Sequence, residues 1–153
     1  VGLHGRSFFQ HKLRSRVINA ESLKADLAHL NEQSGPVFKI KEDPRLTRIG
    51  KFIRKFSIDE LPQLFNVVMG DMNLIGPRPP VPQEVKQYTT KQMRRLSMKP
   101  GITGLWQVSG RNDLKKFEDW VKLDLEYIDS WNLVLDFKIA LKTVFVVISG
   151  TGR

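Results

Sequence analysis

Residues 57–82, SIDELPQLFNVVMGDMNLIGPRPPVP, constrain this chain more than any other stretch. Pro77, Pro79, Pro80 and Pro82 crowd together at its end. Each fixes φ and removes a backbone donor, so a stiff loop is expected there rather than helix or sheet interior. At the other end, Ser57-Ile58-Asp59-Glu60 fits the capping-box pattern, in which Ser caps a helix and an acid in the first turn reaches back to it. The helix so predicted runs from Ile58 to Met69 and ends near Gly70. Asp59 and Glu60 then sit in its first turn, where backbone N–H groups and the helix dipole favour anions. Arg78 stands between prolines in Gly76-Pro77-Arg78-Pro79. A carboxylate pair, a helix N-terminus and a rigidly mounted Arg are the parts needed to handle phosphate.

The remaining pattern is mostly helical. Leu23, Leu27 and Leu30 recur at helical spacing and predict an amphipathic helix over 20–32, stopped by Gly35-Pro36. Residues 37–41 (VFKIK) alternate and predict a strand. Ile49, Phe52, Ile53 and Phe56 share a helical face within 46–56. Residues 83–97 read as helical, 99–104 as a loop, 105–109 as a short strand and 110–112 as a turn. Helices over 115–130 and 135–148 close the chain, and residues 1–16 read as an extended or hairpin-like entry. With 153 residues the chain can bury one core. The expected fold is α+β, a mainly helical single domain with a small β element.

Charge narrows the partners. The chain carries 25 Lys+Arg against 16 Asp+Glu, a formal net charge of +9. That balance favours nucleic acid, nucleotides or an anionic membrane surface, and it also fits a merely solubilising surface. There is no cysteine, so disulfides and thiolate metal sites are excluded. No apolar run approaches the roughly 18–20 residues that span a bilayer. Val1-Gly2-Leu3 does not read as a natural start, so an upstream part is expected.

For Asp59 and Glu60, capping alone is one reading. The other is a nucleophile or metal-binding pair, because aspartate attacks phosphorus and carboxylates hold Mg²⁺. Neighbours on a helix point about 100° apart, so the two acids need not share one role. Arg54, Arg78 and Arg111 offer bidentate phosphate forks, with surface solvation as the alternative. Trp106, Trp120 and Trp131 read as core, with ligand stacking or a place at a membrane interface as the alternatives. The last helix carries Phe137, Leu141, Val144, Phe145 and Ile148 in ordinary core patterning that also suits an interfacial helix. His4, His11 and His29 lack metal-ligand spacing, and no nucleotide-binding fingerprint or zinc motif appears.

The motifs taken together resemble the bacterial sugar transferase family, the monotopic polyprenyl-phosphate phosphoglycosyltransferases. The matching stretches are GPVFK at 35–39, DPRLTRIG at 43–50, SIDELPQLFNVVMGDMNLIGPRP at 57–79, KPGITGLWQVSGRN at 99–112 and LDLEYIDSW at 123–131. They fall in the family's order, and the likeness runs through nearly all of residues 1–153. The resemblance implies a catalytic domain docked on the cytoplasmic face of the bacterial inner membrane. It implies transfer of a sugar 1-phosphate from a nucleotide diphospho-sugar, usually a UDP-sugar, to polyprenyl (undecaprenyl) phosphate. Asp59 is then the nucleophile that forms a covalent phospho-sugar intermediate, and Glu60 its partner in Mg²⁺ binding or proton handling. Lys12, Arg54, Arg78 and Arg111 match positions expected to contact phosphates or nucleotide. Lys12-Leu13-Arg14-Ser15-Arg16 departs from the family's Lys-Phe-Arg-Ser-Met, and the family's N-terminal re-entrant membrane helix is absent from these residues. The competing readings are a non-catalytic basic module on nucleic acid or anionic membrane, and a scaffold for polysaccharide assembly. The transferase reading involves no nucleic acid and leaves oligomeric state open.

Overall fold

The core sits mainly on the C-terminal side of the proline loop, with Val37 joining it from the N-terminal side. In the computed structural model, which describes residues 1–110, 114 and 116–150, Phe117, Trp120, Val121 and Leu125 recur at helical spacing on one face of a helix, Phe117–Ser130. They pack on Val37 and Trp106 to form the core. The Trp106 and Trp120 rings stack at 4.3 Å, and Phe117 meets Trp120 edge-on at 6.4 Å.

The elements in chain order are α1 (Arg48–Lys55), α2 (Gln63–Val68), β1 (Asn73–Ile75), α3 (Pro82–Val85), α4 (Thr90–Met93), β2 (Gly101–Thr103), α5 (Leu105–Val108), α6 (Phe117–Ser130) and α7 (Leu133–Ile148). Short 3-10 turns lie between them. Strands β1 and β2 pair in parallel, with Asn73 opposite Gly101 and Ile75 opposite Thr103. Parallel pairing needs a crossover, and here it carries the proline loop, α3 and α4. Gly76 lets the two ends close: a Cβ there would lie 2.6 Å from the Lys99 carbonyl oxygen and 2.8 Å from the Gly101 nitrogen. The fold is α+β and mainly helical, a single domain with one small sheet among the described residues.

Several expectations from the sequence are corrected. Residues 20–32 form two 3-10 turns, Ser22–Lys24 and Ala28–Leu30, instead of an amphipathic helix. Leu23 and Leu27 are only half-buried and Leu30 is exposed, so the stripe reaches no full core, and a short helix with little packing gains little. Residues 37–40 form no strand. The Asn31 side chain takes the place of a partner strand, accepting from Lys39 N at 2.9 Å and donating to the Val37 carbonyl at 3.3 Å. The strand is 101–103, inside the expected loop, and 105–108 is helical. Residues 83–97 break into α3, α4 and a 3-10 turn, because Thr89 starts a new helix with a capping box of its own. There Gln92 Oε1 accepts from Thr89 N at 2.8 Å, and Thr89 Oγ1 accepts from Gln92 N at 3.4 Å. The closing helices and the helix within 46–56 form as expected.

Core patterning on the last helix is also corrected. Only Ile139 of α7 is buried, while Phe137, Phe145 and Ile148 are exposed. Ile49 and Phe52 on α1 and Phe65 and Val68 on α2 are likewise exposed. Trp131 is half exposed and donates to Asp136 Oδ2 at 3.1 Å, so it is no core residue. Among the described residues no helix is long and apolar enough to cross a membrane.

Candidate active site

The site is assembled by lacing the N-terminal segment across the two halves of the acidic motif. Thr47 N donates to the Ser15 carbonyl at 3.1 Å and Val17 N to the Arg45 carbonyl at 2.9 Å. Gly50 in the first turn of α1 makes room, because a Cβ there would collide with the Ser15 carbonyl oxygen. Farther along, the Asn66 side chain of α2 accepts from His11 N at 3.0 Å and donates to the Phe9 carbonyl at 2.7 Å. Leu13 N donates to the Asp59 carbonyl at 2.9 Å. Lys12 is thereby laid over the acid pair. Its Nζ stands 3.1 Å from Asp59 Oδ2 and 2.9 Å from Glu60 Oε1.

Ser57 does not cap a helix. It adopts φ 55 and ψ 22, the left-handed region, and its hydroxyl makes no capping bond. Ile58–Glu60 is a 3-10 turn, and α2 begins only after Pro62. Glu60, instead of reaching back to Ser57, is drawn to Lys12. The expected helix N-terminus at the acid pair is therefore absent, since one 3-10 turn aligns too few peptide dipoles. A left-handed non-glycine residue costs on the order of 1–2 kcal/mol, and strain of this kind is held where neighbouring structure over-determines it. Here it turns the chain sharply out of α1 so that Asp59 faces inward.

Asp59 is buried, with 3% of its side chain exposed, and Arg54 Nε stands 3.8 Å from the same Oδ2 that faces Lys12. That oxygen has no aligned hydrogen-bond donor. Burial, and then the charge of Arg16, lower the Arg54 pKa, while the Asp59 charge works the other way. Asp43 lies in the same cleft. Burial pushes its carboxyl up, but hydrogen bonds from the side chain and backbone of Arg45, with the charge of Arg16, hold it down at about 2. Arg45 Nε and Nη2 each donate to Asp43 at 2.8 Å, and Arg16 Nη2 stands 3.0 Å away.

Arg78 reaches the cleft from the proline loop, and its Nη1 donates to Glu84 at 3.1 Å. Its carbonyl accepts from Arg95 Nη2 at 3.3 Å. Arg95 is itself clamped by Asp124 (Nε to Oδ2, 2.8 Å) and by the Tyr88 hydroxyl at 2.6 Å. Lys12, Arg54, Asp59, Glu60 and Arg78 thus line one cleft of about 140 Å³, together with Arg16, Asp43, Trp106 and residues 37–40. Arg111 lies outside the described residues.

Asn66, Asp43 and Arg16 are site residues that the sequence pattern does not single out. DPRLTRIG at 43–50 was the available signal for Asp43, but Asn66 in an apolar helix gives none.

Among the described residues no group of three or more His, Asp and Glu side chains stands ready to hold a metal ion. Asp59 and Glu60 nevertheless converge on one cation position, where the Lys12 ammonium sits. Two carboxylates fit Mg²⁺, which completes its shell with water and substrate phosphate oxygens. A buried carboxylate oxygen without an aligned donor, flanked by Lys12 and Arg54 in a cleft that Arg16 and Arg78 also line, is suited to meet a phosphate group at close range.

The family model for bacterial sugar transferases matches residues 1–150. The galactosyl transferase CpsE of Streptococcus agalactiae is 55% identical over 99% of this chain and 34% of its own length. The undecaprenyl-phosphate galactose phosphotransferase of Salmonella typhimurium is 48% identical over 99% of this chain and 33% of its own. The exopolysaccharide production protein ExoY of Rhizobium meliloti is 36% identical over 99% of this chain and 69% of its own. The chain thus spans about a third of the length of the first two relatives. With the matched region running from residue 1 to 150, this chain belongs to the bacterial sugar transferase family.

Proposed function

We propose that the protein containing this chain transfers a sugar 1-phosphate from a nucleotide diphospho-sugar, a UDP-sugar, to undecaprenyl phosphate. In the first step an Asp59 carboxylate oxygen attacks the β-phosphorus, and the bond to the leaving nucleoside monophosphate breaks. In the second, an oxygen of the polyprenyl phosphate attacks the same phosphorus and frees Asp59. The product is a polyprenyl diphosphate-linked sugar, the first membrane step toward an exopolysaccharide or glycoconjugate.

The observation that carries this reading is Asp59 itself, a buried carboxylate whose Oδ2 lacks an aligned donor while Lys12 and Arg54 flank it. The cations lower the cost of bringing an anionic phosphate to an anionic nucleophile. Arg78, and Arg111 by its family position, are assigned to the phosphates or nucleotide. Asp59 and Glu60 would hold Mg²⁺, which supplies charge neutralisation on the transferring phosphoryl group. Glu60 also stands where it can take part in proton handling. Exposed apolar side chains on α1, α2 and α7 support docking on a membrane, at the cytoplasmic face of the inner membrane where nucleotide sugars are found. A basic module on nucleic acid is disfavoured because Lys12, Arg16 and Arg54 face Asp59 and Asp43 instead of forming an open stripe.

The test is to incubate the full-length protein with a sugar-labelled UDP-sugar, Mg²⁺ and undecaprenyl phosphate. Release of UMP and a labelled lipid is expected from the wild type. Transfer at the wild-type rate by Asp59→Asn would overturn the nucleophile assignment.

A further inference from the structure

The motif that carries Asp59 has two sides. Ser57 and Glu60 line the polar cleft, and both also line a second cleft of about 190 Å³ on the other side of the 3-10 turn. Its walls are aliphatic: Leu61 and Leu64 from the motif, Ile102 and Val108 from the β2–α5 region, and Val146 and Val147 from α7. Its threonine hydroxyls are already committed, and Gln107 donates through Nε2 to the Ile102 carbonyl at 3.1 Å while its buried Oε1 takes no hydrogen bond. Thr143 donates to the Ile139 carbonyl at 2.8 Å, and Thr103 lies 2.9 Å from Thr143 Oγ1, where it can only be the donor. An occupant therefore needs hydrocarbon there, with few polar groups to satisfy. Beside the cleft, Val144 and Phe145 of α7 are exposed, so its apolar surface continues outward along the helix.

We propose that this cleft is the subsite for the first isoprene units of the acceptor lipid, an inference that rests on the transferase reading above. The shared rim selects this occupant. An amphiphile with its phosphate beside Lys12 and Arg54 can lead its tail past Glu60, which lines both clefts, toward Leu61 and Val147. Both ends of that route match the ligand in chemistry, cations at the head and aliphatic walls along the tail. Ser57 turns the chain so that residues two positions apart serve the two sides: Asp59 lines the polar cleft and Leu61 the apolar one.

The experiment uses the full-length protein in lipid nanodiscs. Val147→Trp fills the cleft, and Val147→Leu serves as its mild counterpart. The expected result is a rise of about tenfold in the KM for undecaprenyl phosphate with Val147→Trp, against a much smaller change in the KM for the UDP-sugar. Equal changes in the two constants, or none in the acceptor's, would overturn the subsite. Should Val147→Trp not fold, photo-cross-linking of the wild type by a polyprenyl phosphate with a diazirine on its first isoprene unit decides. Label on residues 61–64 or 143–147 supports the subsite. Label confined elsewhere, including another segment of the longer protein, overturns it. A wild type that releases no UMP would instead count against the transferase reading, while the cross-link still reports on the cleft.

Discussion

Asp59 and Asp124 are buried almost equally, with 3% and 1% of their side chains exposed, and each stands beside an arginine, yet they are held in different ways. Arg95 meets Asp124 through Nε at 2.8 Å and Nη2 at 2.7 Å, with its guanidinium over the Tyr88 and Phe117 rings. Asp59 meets Lys12 at 3.1 Å and Arg54 at 3.8 Å, and neither forms a fork. The first arrangement is closed on the arginine side, where Arg95 gives Nε and Nη2 to Asp124 Oδ2, Nη1 to the Tyr88 hydroxyl and Nη2 to the Arg78 carbonyl, although Asp124 Oδ1 takes no hydrogen bond. The second is open to exchange, since Lys12 is 35% exposed and, with Arg54, can meet an arriving phosphate while still flanking Asp59. Similar burial thus serves structure in one place and chemistry in the other, and the geometry of the partner separates them.

Four predictions bear on that contrast. Asp59→Asn should lower sugar-phosphate transfer by on the order of 10³-fold or more, with little change in the denaturant midpoint. A midpoint shift as large as that of an Asp124 variant would erase the distinction. Asp124→Asn should cost ~3–5 kcal/mol in denaturant unfolding, because it leaves Arg95 buried without its counter-charge. Lys12→Met should reduce transfer by roughly tenfold to a hundredfold while costing less than about 1 kcal/mol, since its ion pair is partly exposed. An unfolding cost as large as that of Asp124→Asn would show that Lys12 is a structural clamp.

The smallest effects are in pH dependence, and they run in opposite directions. Burial raises the Asp124 carboxyl from 3.8 to about 6, against the pull of Arg95. The folded state then binds the proton more tightly than the unfolded one, so this group's contribution falls as pH rises from about 4 to 6. Asp43 is the reverse, lowered to about 2 from 3.8, so its contribution is present above pH 3.8 and lost as pH falls toward 2. Denaturant midpoints across pH for Asp124→Asn and Asp43→Asn should lose these two slopes separately. A wild-type slope that survives Asp124→Asn would show that another group titrates there.

Much of this was legible in the chain, unevenly. The closing helices followed from sustained apolar periodicity, and the stiff loop from its prolines. The family followed from long motifs in order, because each couples several residue types at fixed spacing. Ser57 misled because a Ser-x-x-Glu pattern does not reveal which long-range partner competes for the acid. Lys12, far away in sequence, took Glu60 away from it. Residues 20–32 misled for a related reason: Leu23, Leu27 and Leu30 have helical spacing, but the first two are only half-buried and the third is exposed. Phe137, Phe145 and Ile148 look like core residues in any pattern, and only their lack of neighbours in the folded chain shows that they are not.

By itself the amino-acid sequence determined the local facts: where helices must stop, that the molecule is basic, which family it belongs to, and which side chains can meet phosphate. The tertiary structure decided which of those side chains share a cleft, that the acid pair sits on a strained turn and not at a helix cap, and which apolar faces stay open. The physical reason is range. Capping, φ restriction and periodicity act over a few residues, whereas the pairing of Lys12 with Glu60 and of Arg95 with Asp124 depends on chain closure across 48 and 29 residues.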